Sequence, residues 1–326
     1  AKVSLFGHGS VDLMYGGTGS GSVDTSKAPN LKEALEAQGI QVNQTLWDLY
    51  KSDSMMKNYS RITPASISDT LEANTQYAVN EAPWSALSSA ESSFAEYGDA
   101  AIVVFSRSGG EGADLPTDMS AVVDGSWIRR VAEYRGSEKG AGYYNGTYDD
   151  TLNEGNDWDK GDHFLQLSNR EEELIDLVTS NFDNVVVVYN GANAFEMDWV
   201  KNYPQIKGVL LCPGTGQSGF EGFGRVVAGE VNPSGRTADT YAADLTASPW
   251  WNNFGDFKYT NTSEFNSNAS GFDPEGTTPS FVNYVEGIYV GYKFYETAAD
   301  EGLIDYDKEV VYPFGYGLSY TTFTQK

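Results

Sequence analysis

The sequence predicts an α/β fold built on a mostly parallel sheet with helices on both faces, and three observations carry that expectation. Three apolar runs, Ala101-Ile102-Val103-Val104-Phe105, Val185-Val186-Val187-Val188 and Gly208-Val209-Leu210-Leu211, lack the apolar–polar alternation of a half-exposed strand. Strands covered on both faces lose that alternation, so unbroken runs mark the interior of an α/β layer. Helical signals separate the runs: Ser168, with Glu171 three residues on, forms a capping box ahead of Leu174, Ile175 and Val178. Strand and helix signals then alternate along the chain, the pattern that builds a parallel sheet.

Taken in order, Val3-Ser4-Leu5-Phe6, ended by Gly7, reads as a buried strand. The glycine-rich loop Gly16-Gly17-Thr18-Gly19-Ser20-Gly21 follows. Asn30 then caps the helical stretch of residues 31–37, with Gly39 behind it. Ile40-Gln41-Val42 alternates like a strand, and residues 44–96 are polar and helix-compatible. Residues 116–165 carry no periodicity and are rich in Gly, Asp, Asn and Tyr, so they read as a long surface insertion of the functional kind. Beyond the last apolar run, Asn232-Pro233-Ser234-Gly235-Arg236 is a turn. Residues to 283 are loop-rich, and residues 284–295 are aromatic and strand-like. The simplest parse of residues 1–326 is one domain with an insertion at about 116–165 and a decorated C-terminal segment at about 232–326.

Composition narrows the function. The 326 residues include 46 acidic and 21 basic side chains, a net charge of −25 that repels nucleic acid and anionic membranes and suits neutral or cationic ligands. No run of 18 apolar residues offers a membrane span. The chain opens directly in a strand and is expected to carry no leader, which is compatible with either a bacterial cytoplasm or the cell exterior. With one cysteine, Cys212, and two histidines, His8 and His163, neither a disulfide nor a metal cluster is expected, and no cofactor is.

Several segments have the spacing of known motifs. Gly214-Thr215-Gly216-Gln217-Ser218-Gly219 has the spacing of a dinucleotide-binding turn, but the Asn232–Arg236 turn stands where the acidic residue ending a second strand belongs. It reads as a tight strand-to-helix turn. The loop at 16–21 lacks the Gly-Lys-Ser/Thr ending of a phosphate loop. Neither Ser218 nor Ser20 completes the G-x-S-x-G elbow of a serine hydrolase. Glu111, in Arg107-Ser108-Gly109-Gly110-Glu111-Gly112-Ala113-Asp114, lies just beyond the most apolar strand, the edge where open α/β sheets collect ligands. A carboxyl in a partly dry cleft can donate a proton near neutral pH, whereas one in a wet glycine loop is merely solvated. Position alone leaves both readings open.

Four segments then match one family in order. Residues 3–23, the Arg107–Asp114 loop, Gly229-Glu230-Val231-Asn232-Pro233-Ser234-Gly235-Arg236, and the closing pair Glu286-Gly287-Ile288-Tyr289-Val290-Gly291-Tyr292 and Pro313-Phe314-Gly315-Tyr316-Gly317-Leu318-Ser319-Tyr320 resemble the C-terminal-type domain of family 3 glycoside hydrolases, as found in β-glucosidases. The resemblance implies a three-layer αβα sandwich on a mostly parallel, about six-stranded sheet. It also implies a separate (β/α)-barrel domain, absent here, which would carry the nucleophilic aspartate. It transfers the general acid/base to Glu111, catalysis proceeding with retention of configuration on a terminal β-linked sugar of a β-glucoside or oligosaccharide. Asp114 either orients the loop or contacts sugar. Tyr15 or Asp12 reaches a leaving-group subsite. Gly109 stands where the family often has Ser, and Leu115 where Arg is frequent. The glycine-loop wording leans toward members that place this domain ahead of the barrel. A noncatalytic carbohydrate-binding or scaffolding domain is the alternative.

Overall fold

In the computed structural model, the described residues are 1–17, 19–59, 61, 79–109, 115, 117, 119, 157–253, 257–261, 280–322 and 324. The chain divides into two compact units, Ala1–Arg236 with Gly317–Lys326, and Thr237–Tyr316.

The first unit is built on a five-stranded sheet: β1 (Lys2–Phe6), β2 (Gln41–Val42), β3 (Ala100–Arg107), β4 (Val185–Gly191) and β5 (Ile206–Leu211). Their order is β2-β1-β3-β4-β5 and every pairing is parallel, so the expectation of a mostly parallel sheet holds with five described strands. All three long apolar runs lie within strands, and β3 continues two residues past its run, to Ser106 and Arg107. On one face, α1 (Leu31–Glu36) and α5 (Gly219–Val227) pack Leu31, Ala34, Leu35, Phe220 and Phe223 onto Val3, Leu5, Ile102, Val104 and Val188. On the other face lie α2 (Gln44–Lys51), a 3-10 helix at Trp84–Ser93 and α4 (Asn169–Asn181), with α3 (Asp53–Asn58) packed against α2. There Phe6, pointing opposite to Leu5, meets Trp84, Phe94 and Phe182 at ring separations of 5.2–6.1 Å. Helix, sheet and helix make three layers.

Both anticipated helix starts are reciprocal capping boxes, Asn30 with Glu33 and Ser168 with Glu171. Each satisfies amide groups that a helix start otherwise leaves without acceptors.

The second unit holds two short antiparallel pairs, β6 (Tyr241–Ala242) with β9 (Val310–Tyr312) and β7 (Phe257–Lys258) with β8 (Ser280–Phe281). It also contains α6 (Tyr292–Asp300) and α7 (Tyr306–Glu309). The strand-like reading of residues 284–295 is corrected: turns fill 285–288 and α6 begins at Tyr292. Aromatic side chains favour strands only where they fit a pleated, half-buried surface. Here Tyr295 and Ala298 are buried three positions apart, the spacing of one helix face. Among the described residues, no helix is long and apolar enough to cross a membrane.

Candidate functional site

The strand order sets where a site can form. From β1 the chain moves outward to β2 on one side, while β3, β4 and β5 extend on the other. Loops leaving the carboxyl ends of β1 and β3 therefore part company. In open parallel sheets this switch point is the place where ligands bind.

The β1 side is held by buried polar contacts. Gly7 N donates to the Tyr50 hydroxyl at 3.0 Å, and His8 N to Glu81 Oε2 at 2.8 Å. Arg61 Nη1 donates to the Asp12 carbonyl at 2.7 Å and to Ser106 Oγ at 3.0 Å, tying this loop to the end of β3. Asn190, fully buried near the end of β4, accepts from Met14 N at 2.6 Å and donates to the carbonyls of Met14 at 3.1 Å and Cys212 at 2.9 Å. Gly216 N donates to the Tyr15 carbonyl at 2.7 Å, so the 214–219 segment, read from the sequence as a tight strand-to-helix turn, closes against the β1 loop. Loops following β1, β3, β4 and β5 thus meet along one edge.

The β3 side is built around Arg107. This side chain is fully buried, and Glu171 receives its guanidinium in bidentate fashion, Nη1 to Oε1 at 2.8 Å and Nη2 to Oε2 at 2.5 Å. Ser108, next in the chain, is buried. A β-carbon at Gly109 would come within 3.3 Å of Asn193 Nδ2, so glycine in place of the family's serine leaves room for that amide. A β-carbon on Gly17 would lie 3.9 Å from the Gly109 carbonyl oxygen, which puts the first glycine loop beside the start of the Glu111 loop. The chain is held again at Leu115 and Met119, both buried, and Met119 N donates to the Asp162 carbonyl at 2.8 Å.

Charge under the β1 loop is graded. Burial would raise the Asp12 carboxyl, but Arg61 and His8 outweigh it and hold the group below its usual range. Glu81 is pushed up to about 7, chiefly by burial. Nε2 of His8 lies 3.5 Å from Asp12 Oδ2.

Of the anticipated site residues, Glu111 and Asp114 lie outside the described residues, as does most of the 116–165 insertion. Tyr15 lies in the loop that follows β1. Its hydroxyl donates to the Pro29 carbonyl at 3.1 Å and its ring meets Phe220 edge-on at 5.3 Å. Sequence reasoning missed Arg107, Glu171, Asn190, Arg61 and Glu81 as supports. One signal was present: an arginine ending the most apolar strand requires a buried partner.

Fold and edge together define a three-layer α/β domain whose strand-end loops gather at the switch point of a parallel sheet. The model of the glycosyl hydrolase family 3 C-terminal domain matches residues 1–320, and the chain belongs to that family. It is 31% identical over 332 residues to beta-glucosidase A of Butyrivibrio fibrisolvens, an alignment covering 99% of this chain and 32% of that protein. To an exo-alpha-(1->6)-L-arabinopyranosidase of Bifidobacterium longum it is 34% identical over 160 residues, 49% of this chain and 17% of the relative. Among solved structures, beta-glucosidase 3B from Thermotoga neapolitana in complex with alpha-D-glucose matches with a TM-score of 0.63 at 26% identity, covering 99% of this chain and 34% of that one. The chain thus spans about a third of the length of the relatives it matches end to end.

Proposed function

We propose that this chain is the acid/base-contributing domain of a retaining exo-β-glycosidase of β-glucosidase type, with Glu111 as the acid/base. The observation that carries the reading is the departure of the Glu111 loop from the carboxyl end of β3, at the switch point of the sheet, between buried residues Ser108 and Leu115. The names of the relatives support a glycosidase, and their greater length supports a further domain, which we take to be a (β/α)-barrel of the same protein.

On this reading a barrel aspartate attacks the anomeric carbon while Glu111 protonates the departing oxygen. Glu111 then takes a proton from water, which releases the sugar with net retention. Retention needs the two carboxyl groups about 5–5.5 Å apart, a separation set by how the domains dock. The isolated chain holds one carboxylate of the two and is inactive. Asp114 orients the loop or meets the sugar, and Tyr15 shapes the leaving-group side through its ring, since its hydroxyl already donates to Pro29.

The test is Glu111→Ala in the full-length enzyme. General acid catalysis contributes roughly 10²–10⁴-fold, and poor leaving groups depend on it most. The turnover of alkyl β-glucosides should fall by about that factor, while azide partly restores turnover of activated aryl β-glucosides. Unchanged kinetics on both would leave a noncatalytic binding or scaffolding domain.

A further inference from the structure

We propose that the apolar segment Val282–Tyr292 is a docking face for an uncharged, apolar surface on a further domain of the same polypeptide. The inference rests on the further domain proposed above and not on the role of Glu111.

Among the described residues, the large apolar side chains that stand out into solvent all fall between Tyr259 and Tyr320. They are densest at 282–292, where seven side chains are large, apolar and 42–74% exposed, with Tyr284, Val285 and Ile288 the most open. The segment is not a slack loop. Val285 N donates to the Asn283 carbonyl at 2.8 Å, Gly287 N to the Tyr284 carbonyl at 3.2 Å and Tyr289 N to the Glu286 carbonyl at 3.0 Å. Gly287 and Gly291 take the left-handed backbone these turns need, at φ of 58° and 56°. A carboxyl oxygen of Glu286 accepts from the Asn253 amide, and the Tyr292 ring stacks on Phe314 at 4.6 Å. A surface held in shape before binding loses little freedom on docking.

Among the described residues of Thr237–Tyr316, exposed large apolar side chains outnumber the buried apolar ones, which are Tyr241, Ala242, Leu245, Tyr295, Ala298 and Val310. Soluble monomers seldom leave so dense an apolar stretch bare, and such stretches mark protein interfaces. Tyrosine, enriched in interface cores, supplies Tyr284, Tyr289 and Tyr292. The one charged side chain of the segment, Glu286, already has a partner in Asn253, so the complementary surface is uncharged. Charge also selects the occupant. A second copy would have to overcome repulsion between two chains of net charge −25, and an anionic membrane meets the same field. A domain of the same polypeptide is held close by its linker, at an effective concentration on the order of millimolar. Relatives carry the extra chain for it: this chain, matched over 99% of its length, covers 32% and 34% of two of them.

The experiment puts the photo-cross-linker p-benzoylphenylalanine in place of Tyr284 in the full-length protein, an aromatic exchange at an exposed side chain, and maps the products by mass spectrometry. The expected product keeps the mass of one polypeptide and joins position 284 to residues outside 1–326. Cross-links to a second copy, cross-links confined to residues 1–326, or none at all would overturn the docking face. Ile288→Asp in the full-length protein gives a second reading. A charge at this exposed position leaves the segment's own turns intact but disrupts an apolar contact across it. Amide exchange of residues 285–292 should quicken by about tenfold or more, while the amides of β3 and β4 keep their rates. Unchanged exchange at 285–292, or an equal rise in β3 and β4, would overturn the proposal. Neither reading depends on turnover, so full activity of Glu111→Ala would sink the acid/base reading and leave this face standing.

Discussion

Glu81 lies beneath the β1 loop with its carboxylate accepting from two backbone amides, His8 N at 2.8 Å and Ala82 N at 3.0 Å. Burial is the largest influence on it. His8 and the two amides pull its pKa down, Glu171 pushes it up, and the outcome is a rise from 4.5 to about 7. The folded chain thus holds this proton more tightly than the unfolded chain does. Its stabilising contribution is complete below about pH 4.5 and is lost as the pH rises through about 7. At about 1.36 kcal/mol per unit the displacement is worth up to about 3 kcal/mol. Glu81→Gln should therefore flatten the fall in stability between pH 4.5 and 7.5, measured by urea unfolding at stepped pH. An unchanged slope would mean that another group carries it. Glu81 was not legible in the sequence, and the partner of Arg107 was not either, since that arginine read as part of the polar break after Phe105. What neutralises Arg107 is a glutamate 64 positions away, a partnership that no local pattern encodes.

Elements were more legible, and for stated reasons. Strands β3 and β4 declared themselves because helices cover both their faces, and α1 and α4 because their first turns carry reciprocal caps. The aromatic stretch ending in α6 misled because nine helical residues with two buried positions give too little periodicity to outweigh aromatic content. The packing of α5 on α1 was also hidden. Gly224 sits at that crossing, and a β-carbon there would come 2.3 Å from the Ala34 carbonyl oxygen. On the same helix Gly222 is exposed, with no atom within 4 Å of an added β-carbon. Gly224→Ala should destabilise the fold by about 1–3 kcal/mol through overpacking. Gly222→Ala should stabilise it by about 0.5–1 kcal/mol through helix propensity. Thermal denaturation of the two variants side by side checks the pair, and equal shifts would contradict the helix crossing.

At the scale of the whole molecule, the sheet order gathers four strand-end loops on one edge, where the proposed function has the chain supply one side of a reaction centre. The ordered motifs in the sequence pointed to that edge, and the supports beneath it emerged only from contacts between distant segments. The net charge of −25 fits a neutral sugar substrate without selecting it. The central claim is that Glu111 protonates the leaving group and then activates water, leaving the nucleophile to the rest of the protein. It is tested most directly by NMR of the product that full-length Glu111→Ala enzyme forms from an activated aryl β-glucoside in the presence of azide. Azide should replace water in the second displacement and yield the β-glucosyl azide, because the carboxylate that would repel it and activate water is gone. Glucose as the sole product at an undiminished rate, or an azide of α configuration, would contradict the account.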